Sequence, residues 1–170
     1  RASWNRVAHN EISDFPYSGV SIGMNWDAGP TQAHDNWIEY NHIHRIGRRR
    51  MSDLGGIYML GNSPGTVIRG NHIHDVHHRL YGSTCLYGDQ GSSRILIEDN
   101  LFHHAGGTIF NGGFGQLEVR NNIFALAGGA TFWNLGGVSL LRRNLIYSGG
   151  EQLCVTWADP GGAGEDYDRN

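Results

Sequence analysis

The chain contains no lysine. All 13 of its cationic side chains are arginine, which excludes chemistry built on an amine nucleophile or a Schiff base. Cysteine is nearly as scarce: Cys85 and Cys154 stand 69 residues apart and supply neither a disulfide framework nor a four-thiolate zinc site. Both therefore read as small apolar residues. No apolar run approaches the roughly 18 residues of a membrane-spanning helix, and Arg1 opens no secretory-signal pattern. A formal net charge of −3 leaves no basic surface for nucleic acid, so neither nucleic acid nor a membrane is expected as a partner. The chain starts without methionine and ends in the coil-like GGAGEDYDRN, so it reads as a piece of something longer.

What is abundant is glycine, 26 of 170 residues, about twice ordinary usage, without a collagen period. That implies many tight turns within one domain-sized chain. A short phrase, N-x-[IF]-x, recurs six times, starting at Asn10, Asn41, Asn71, Asn100, Asn122 and Asn144. The spacings are 31, 30, 29, 22 and 22 residues, so the smallest unit has 22 and the earlier ones carry insertions. Two residues after each asparagine the column is Ile12, Ile43, Ile73, Phe102, Phe124 and Ile146. Three residues before, it is Val7, Ile38, Ile68, Ile97, Val119 and Leu141. Alternation around both has period two, the strand signature.

Like residues stacking on like defines an all-β, right-handed parallel β-helix of about six coils over residues 1–157, with an irregular tail over 158–170. Its asparagines should form an internal hydrogen-bonded ladder. Glu39, Arg69, Glu98 and Arg120, two before successive asparagines, should stack with alternating sign. A third strand is expected from Gly56, Cys85, Gly107 and Gly129 onward. No polar caps are visible, which again fits a fragment of a longer solenoid.

Deviations from a regular wall carry the functional information. Insertions fall at Asn25–Asn36, Gly47–Leu54 and His77–Thr84, where loops would wall a groove along one flank. Aromatics beside carboxylates there suit a sugar polymer, with rings stacking on sugar faces and carboxylates moving protons. Asp89 sits eleven before its asparagine, in a column reading Leu60, Asp89, Asn111, Trp133; the alternative role is a cap on its glycine-flanked turn. Asp53 lies in a loop, and as straight strand its seven-residue offset would put it about 23 Å from Asp89. The two then meet only if the loop folds back. His44, His74 and His103 share an outward column, read as a by-product of the repeat rather than as metal ligands.

The strings YSGVSIGMNW, SDLGGIYMLG, SPGTVIRGN and GDQGSS resemble bacterial right-handed β-helix proteins of the pectin-lyase-like superfamily, above all glycoside hydrolase family 141, which includes an α-L-fucosidase and a xylanase. The likeness runs from about Tyr17 to Ala127. It implies a glycoside hydrolase acting on a plant-type polysaccharide, with Asp53 and Asp89 as the catalytic pair and no cofactor or metal. Trp26, His34, Tyr58, Tyr87, Gln90 and Asn111 would contact a poly- or oligosaccharide. The resemblance also implies a secreted or periplasmic protein, expected as a monomer. Relatives read D-E-G-S-S where this chain has Asp89-Gln90-Gly91-Ser92-Ser93, and H-Q-H-Y-G where it has Asn111-Gly112-Gly113-Phe114-Gly115. These departures imply altered specificity or lost activity. A polysaccharide lyase and a non-catalytic glycan-binding or structural module are the alternatives; absence of lysine and of any three-acid column counts against the lyase.

Overall fold

Each repeat contributes three short strands separated by bends, and every strand pairs in parallel with its counterpart one coil away. The computed structural model describes residues 2–112, 115–126, 131–133 and 138–148, with backbone only at 131–133 and 138–139. The expected tail over 158–170 lies outside the described residues, as does Cys154.

Among the described residues, seventeen strands, numbered along the chain, form three sheets. The first holds β1 (Arg6–Ala8), β4 (Trp37–Glu39), β7 (Asn62–Arg69), β10 (Ser93–Glu98), β13 (Leu117–Arg120) and β16 (Val138–Arg142). The second holds β2 (Glu11–Ser13), β5 (His42–Ile46), β8 (His72–Val76), β11 (Leu101–Ala105), β14 (Ile123–Ala125) and β17 (Leu145–Tyr147). The third holds β3 (Val20–Gly23), β6 (Leu54–Leu60), β9 (Ser83–Gly88), β12 (Thr108–Gly112) and β15 (Thr131–Trp133). This is the parallel β-helix that the repeat predicts. The third sheet already has a strand in the first coil, β3, where the repeat marked none.

Period-two alternation buries one side of each strand inside the coil. Ile43, Ile73, Phe102 and Phe124 stack in register and are fully buried, the two phenyl rings 5.0 Å apart. Ile38, Ile68, Ile97, Val119 and Leu141 do the same from the first sheet.

The chain turns from the first sheet to the second through one left-handed residue per coil. His9, Tyr40, Asp99, Asn121 and Arg143 have φ between 54° and 58°, and Gly70 has 62°. For residues with a side chain this costs about 1–2 kcal/mol each. The asparagine that follows offsets it. Asn71 donates its backbone N–H and its Nδ2 to Asn100 Oδ1 (2.9 and 3.0 Å), donates Nδ2 to Ile38 O (2.9 Å), and accepts two bonds from Asn41 at 3.0 Å. At a net ~1 kcal/mol per bond, five bonds outweigh one strained residue. The pattern runs unbroken from Asn10 to Asn144. A shorter ladder, Asn5 onto Asn36, supports the bend before the first sheet.

The predicted charge ladder is present on the outside of the first sheet. Glu39, only 2% exposed, accepts from Arg6 of the coil before and from Arg69 of the coil after, the latter at 2.8 Å. Arg120 binds Glu98 at 2.8 Å in the same way. Hydrogen bonds from Arg6 and then Arg69 hold the Glu39 carboxyl below the ordinary glutamate range, against the opposing effect of burial.

Two predictions follow from these ladders. Asn71→Ala, which removes four buried side-chain hydrogen bonds and leaves only the backbone one, should destabilise by about 2–4 kcal/mol in urea unfolding, whereas Asn10→Ala at the exposed end should cost less than about 1. Because the folded pKa of Glu39 is depressed, its contribution is complete above the unfolded glutamate pKa and disappears as pH falls through the folded value. The urea midpoint should therefore fall from about pH 5 downward, and Glu39→Gln should flatten that limb while lowering the midpoint at neutral pH.

Candidate active site

All seven residues of β6 are buried, so this strand of the third sheet is covered on its outer as well as its inner face. Inward go Ile57 and Met59; outward goes Tyr58, only 4% exposed. Tyr58 pairs in register with Tyr87 on β9, and Tyr87 with Asn111 on β12, so the three occupy successive rungs of one outward column. The Tyr58 and Tyr87 rings lie 4.7 Å apart, and Tyr17 packs 6.4 Å from Tyr58 on the other side.

Two carboxylates close on this tyrosine pair, and each is bound by the tyrosine of the other coil. Tyr58, on the Asp53 coil, donates its hydroxyl to Asp89 Oδ2. Tyr87, on the Asp89 coil, donates to Asp53 Oδ1 at 2.8 Å. Asp53 stands in the bend just before β6, its backbone N–H bonded to Tyr81 O of the next coil at 3.1 Å. Each acid is thus held by a tyrosine hydroxyl that reaches across from the neighbouring coil.

Burial first, then the hydrogen bond to Asp89, pushes the Tyr58 hydroxyl far above the ordinary tyrosine range; burial and the bond to Asp53 do the same for Tyr87. Tyr17 is raised by burial and then by the charges of both aspartates. All three are therefore hydroxyl donors at neutral pH. Asp89 Oδ1 also accepts the Gln90 N–H at 2.8 Å, and Ser92 N–H returns to Asp89 O at 3.0 Å. The residue caps its turn and faces the tyrosines at once.

Asp53 adopts φ 60° and rests on Gly82, itself at φ 64°. A Cβ at position 82 would stand 3.1 Å from Asp53 Cα and 3.3 Å from its Oδ1, so a side chain there would press on the carboxylate. Beside the pair opens a cavity of about 530 Å³ lined by Tyr81, Gly82, Thr84, Tyr87, Thr108 and Asn111. That volume falls within the range of small-molecule sites. Thr84 and Thr108 share a 2.7 Å hydrogen bond across its floor, and Tyr81 stands 62% exposed at its rim.

The other expected contacts scatter. Trp26 is 68% exposed in the loop after β3, next to Asp27, whose backbone abuts Gly91 of the Asp89 turn. The Gln90 side chain is exposed on that turn. His34 lies elsewhere, its ring 2.8 Å from Asp35 and edge-on to Trp4. The expected column Leu60, Asp89, Asn111, Trp133 is corrected: Asn111 pairs with Tyr87, not Asp89. The turn after β9 contributes two residues that the later coil does not use, so counting back from the asparagine misplaces Asp89 by two. Trp133 does align with Asn111 through its backbone. Tyr17, Gly82, Thr84 and Thr108 were not foreseen; Gly82 carried a signal, as a glycine one rung above an acid.

No curated protein and no solved structure matches the chain. A model of the right-handed β-helix region matches residues 2–148, which covers all three sheets and the tyrosine-bridged acids. With that match and with three wholly parallel sheets, the chain belongs to the right-handed β-helix family.

Proposed function

We propose that this protein is a carbohydrate-active enzyme, a glycoside hydrolase that cleaves a plant-type polysaccharide with Asp53 and Asp89. The observation that carries the reading is the crossed arrangement in which Tyr58 and Tyr87, neighbouring rungs of one column, each bind the acid of the other's coil, next to an open cavity that Tyr87 lines. Paired carboxylates flanking a bond are what glycoside hydrolysis requires. One, as the acid, protonates the glycosidic oxygen while the C1–O bond breaks. The other either attacks C1 or takes a proton from the water that does, and the oxocarbenium-like state between them is stabilised by negative charge. The tyrosines hold both side chains in place without adding charge of their own. Tyr81 and Trp26, both exposed and both next to the site's loops, offer faces on which sugar rings stack. Asn111, at the cavity wall, adds an amide that can bond sugar hydroxyls. A polymer bound this way fits a protein that works as a monomer outside the cytoplasm.

Reducing-sugar release from a panel of xylans, pectins and fucosylated glycans tests the reading. Wild-type protein should release sugar from at least one, and Asp53→Asn and Asp89→Asn should each lower the rate by about 10²–10⁴-fold while glycan binding by calorimetry persists. Tyr87→Phe, which leaves Asp53 without its hydroxyl donor, should reduce the rate by a smaller factor. Unchanged rates in both aspartate variants refute the assignment, no release from any glycan refutes the hydrolase, and an ultraviolet-absorbing unsaturated product would make it a lyase.

A further inference from the structure

Away from the carboxylates, the outer face of the second sheet carries five imidazoles in two adjacent columns. His42 and His72 stand one residue after their asparagines, and His44, His74 and His103 three after, each in register with its neighbour. The rings stack at coil spacing, His74 on His103 with centroids 4.6 Å apart and planes within 7°. Between columns the nitrogens point at one another: His42 Nε2 lies 2.8 Å from His74 Nε2, and His72 Nε2 lies 2.7 Å from His103 Nε2. Ligand nitrogens of His72, His74 and His103 all fall within 4.8 Å of one another, as do those of His42, His44 and His74.

We infer that His72, His74 and His103 form a binding site for a divalent transition-metal ion of the zinc, nickel or copper class. Imidazole is the ligand these borderline ions take, and three with an open fourth position is a common set. The choice between the triads follows from their surroundings. In the other triad the Arg45 guanidinium stands 3.0 Å from His44 Nδ1 and would repel a cation, and the Glu11 carboxylate already takes His44 Nε2 at 3.0 Å. In the chosen triad the nearest fixed charge is an anion. Asp75 Oδ2 takes the Nδ1–H of His74 at 2.8 Å, the carboxylate–histidine arrangement that leaves Nε2 as the lone-pair nitrogen; without the ion it accepts from His42 Nε2 at 2.8 Å, a bond that His42 gives up when the ion binds. His104 Nδ1 contacts His103 Nδ1 in the same supporting position.

The three nitrogens, within 4.8 Å of one another, must draw to coordination distance. Tetrahedral coordination at about 2.0–2.1 Å sets nitrogens roughly 3.3–3.4 Å apart, so the His72–His103 pair, now 2.7 Å apart, opens by about 0.6–0.7 Å while the His74 nitrogen closes in. The proton shared between those two Nε2 atoms transfers to Nδ1 of the ring that held it, leaving two lone pairs for the ion and no change in net protonation. Because the ligands come from β8 and β11, the ion would rivet consecutive coils together.

Calorimetry with Zn²⁺ alone, on the whole chain freed of any purification tag, tests this. Wild-type protein should bind one ion per chain in the micromolar range or tighter, and its melting temperature should rise with Zn²⁺. His103→Ala and, as a second variant, His72→Gln should each weaken binding by at least about tenfold and abolish the rise, while His44→Ala keeps both. Circular dichroism of the metal-free variants shows that each is folded before titration. X-ray absorption should count three imidazoles on the bound zinc. Absence of binding by wild-type protein, equal affinity in His103→Ala and wild type, or loss confined to His44→Ala overturns the assignment.

Discussion

The whole structure depends on one recurring exchange, a left-handed bend residue whose strain is offset by the buried asparagine that follows it. Without that amide, each bend would bury backbone carbonyls and N–H groups with no partner, and the strands before and after it would have no reason to meet at a fixed angle. With it, Oδ1 of one coil accepts two donors from the coil before, so the ladder sets direction and register together. A one-residue slip would place every Nδ2 against an apolar column.

Fixed register is what brings the candidate chemistry together. Tyr58 and Tyr87 are superposed because Ile57 lies on Leu86 and Met59 on Gly88, all filling or lining the same core. The acids themselves sit where the regular strand ends, Asp53 at its entrance and Asp89 in the turn beyond it. Regular structure supplies the tyrosines, irregular structure supplies the acids, and the two hydrogen bonds join them. The histidine columns arise from the same repetition on a different sheet, where identical side chains one coil apart converge without any loop at all.

How much of this was legible in the sequence follows from the difference between periodic and irregular parts. The apolar columns through Ile43 and Ile68 were readable, because burial imposes the same residue type at each rung and the asparagine marks the phase. The charges at Glu39 and Arg69 were readable for the same reason. Asp89 was misplaced against Asn111 because the turn after β9 is longer than its successor, and a count from a distant landmark cannot register that. Bridging by Tyr58 and Tyr87 was illegible, since it depends on where two side chains lean. His44, His74 and His103 were seen as a column, but the part played by His42 and His72 emerges only when neighbouring columns of one sheet face are viewed together.

The crossed tyrosines have a mechanical consequence. Asp89 lies two rungs ahead of Tyr58, and Asp53 lies five residues behind the rung of Tyr87, so both hydroxyls point against the same direction of slip. If the Tyr87 coil slid toward its C-terminal side, both bonds would stretch together; sliding the other way would drive both oxygens into contact. The pair is a latch between two windings of the spiral. A ligand that wedges the acids apart must work against that latch, so tightness of grip on a guest and tightness of the winding beneath it are one and the same mechanical property.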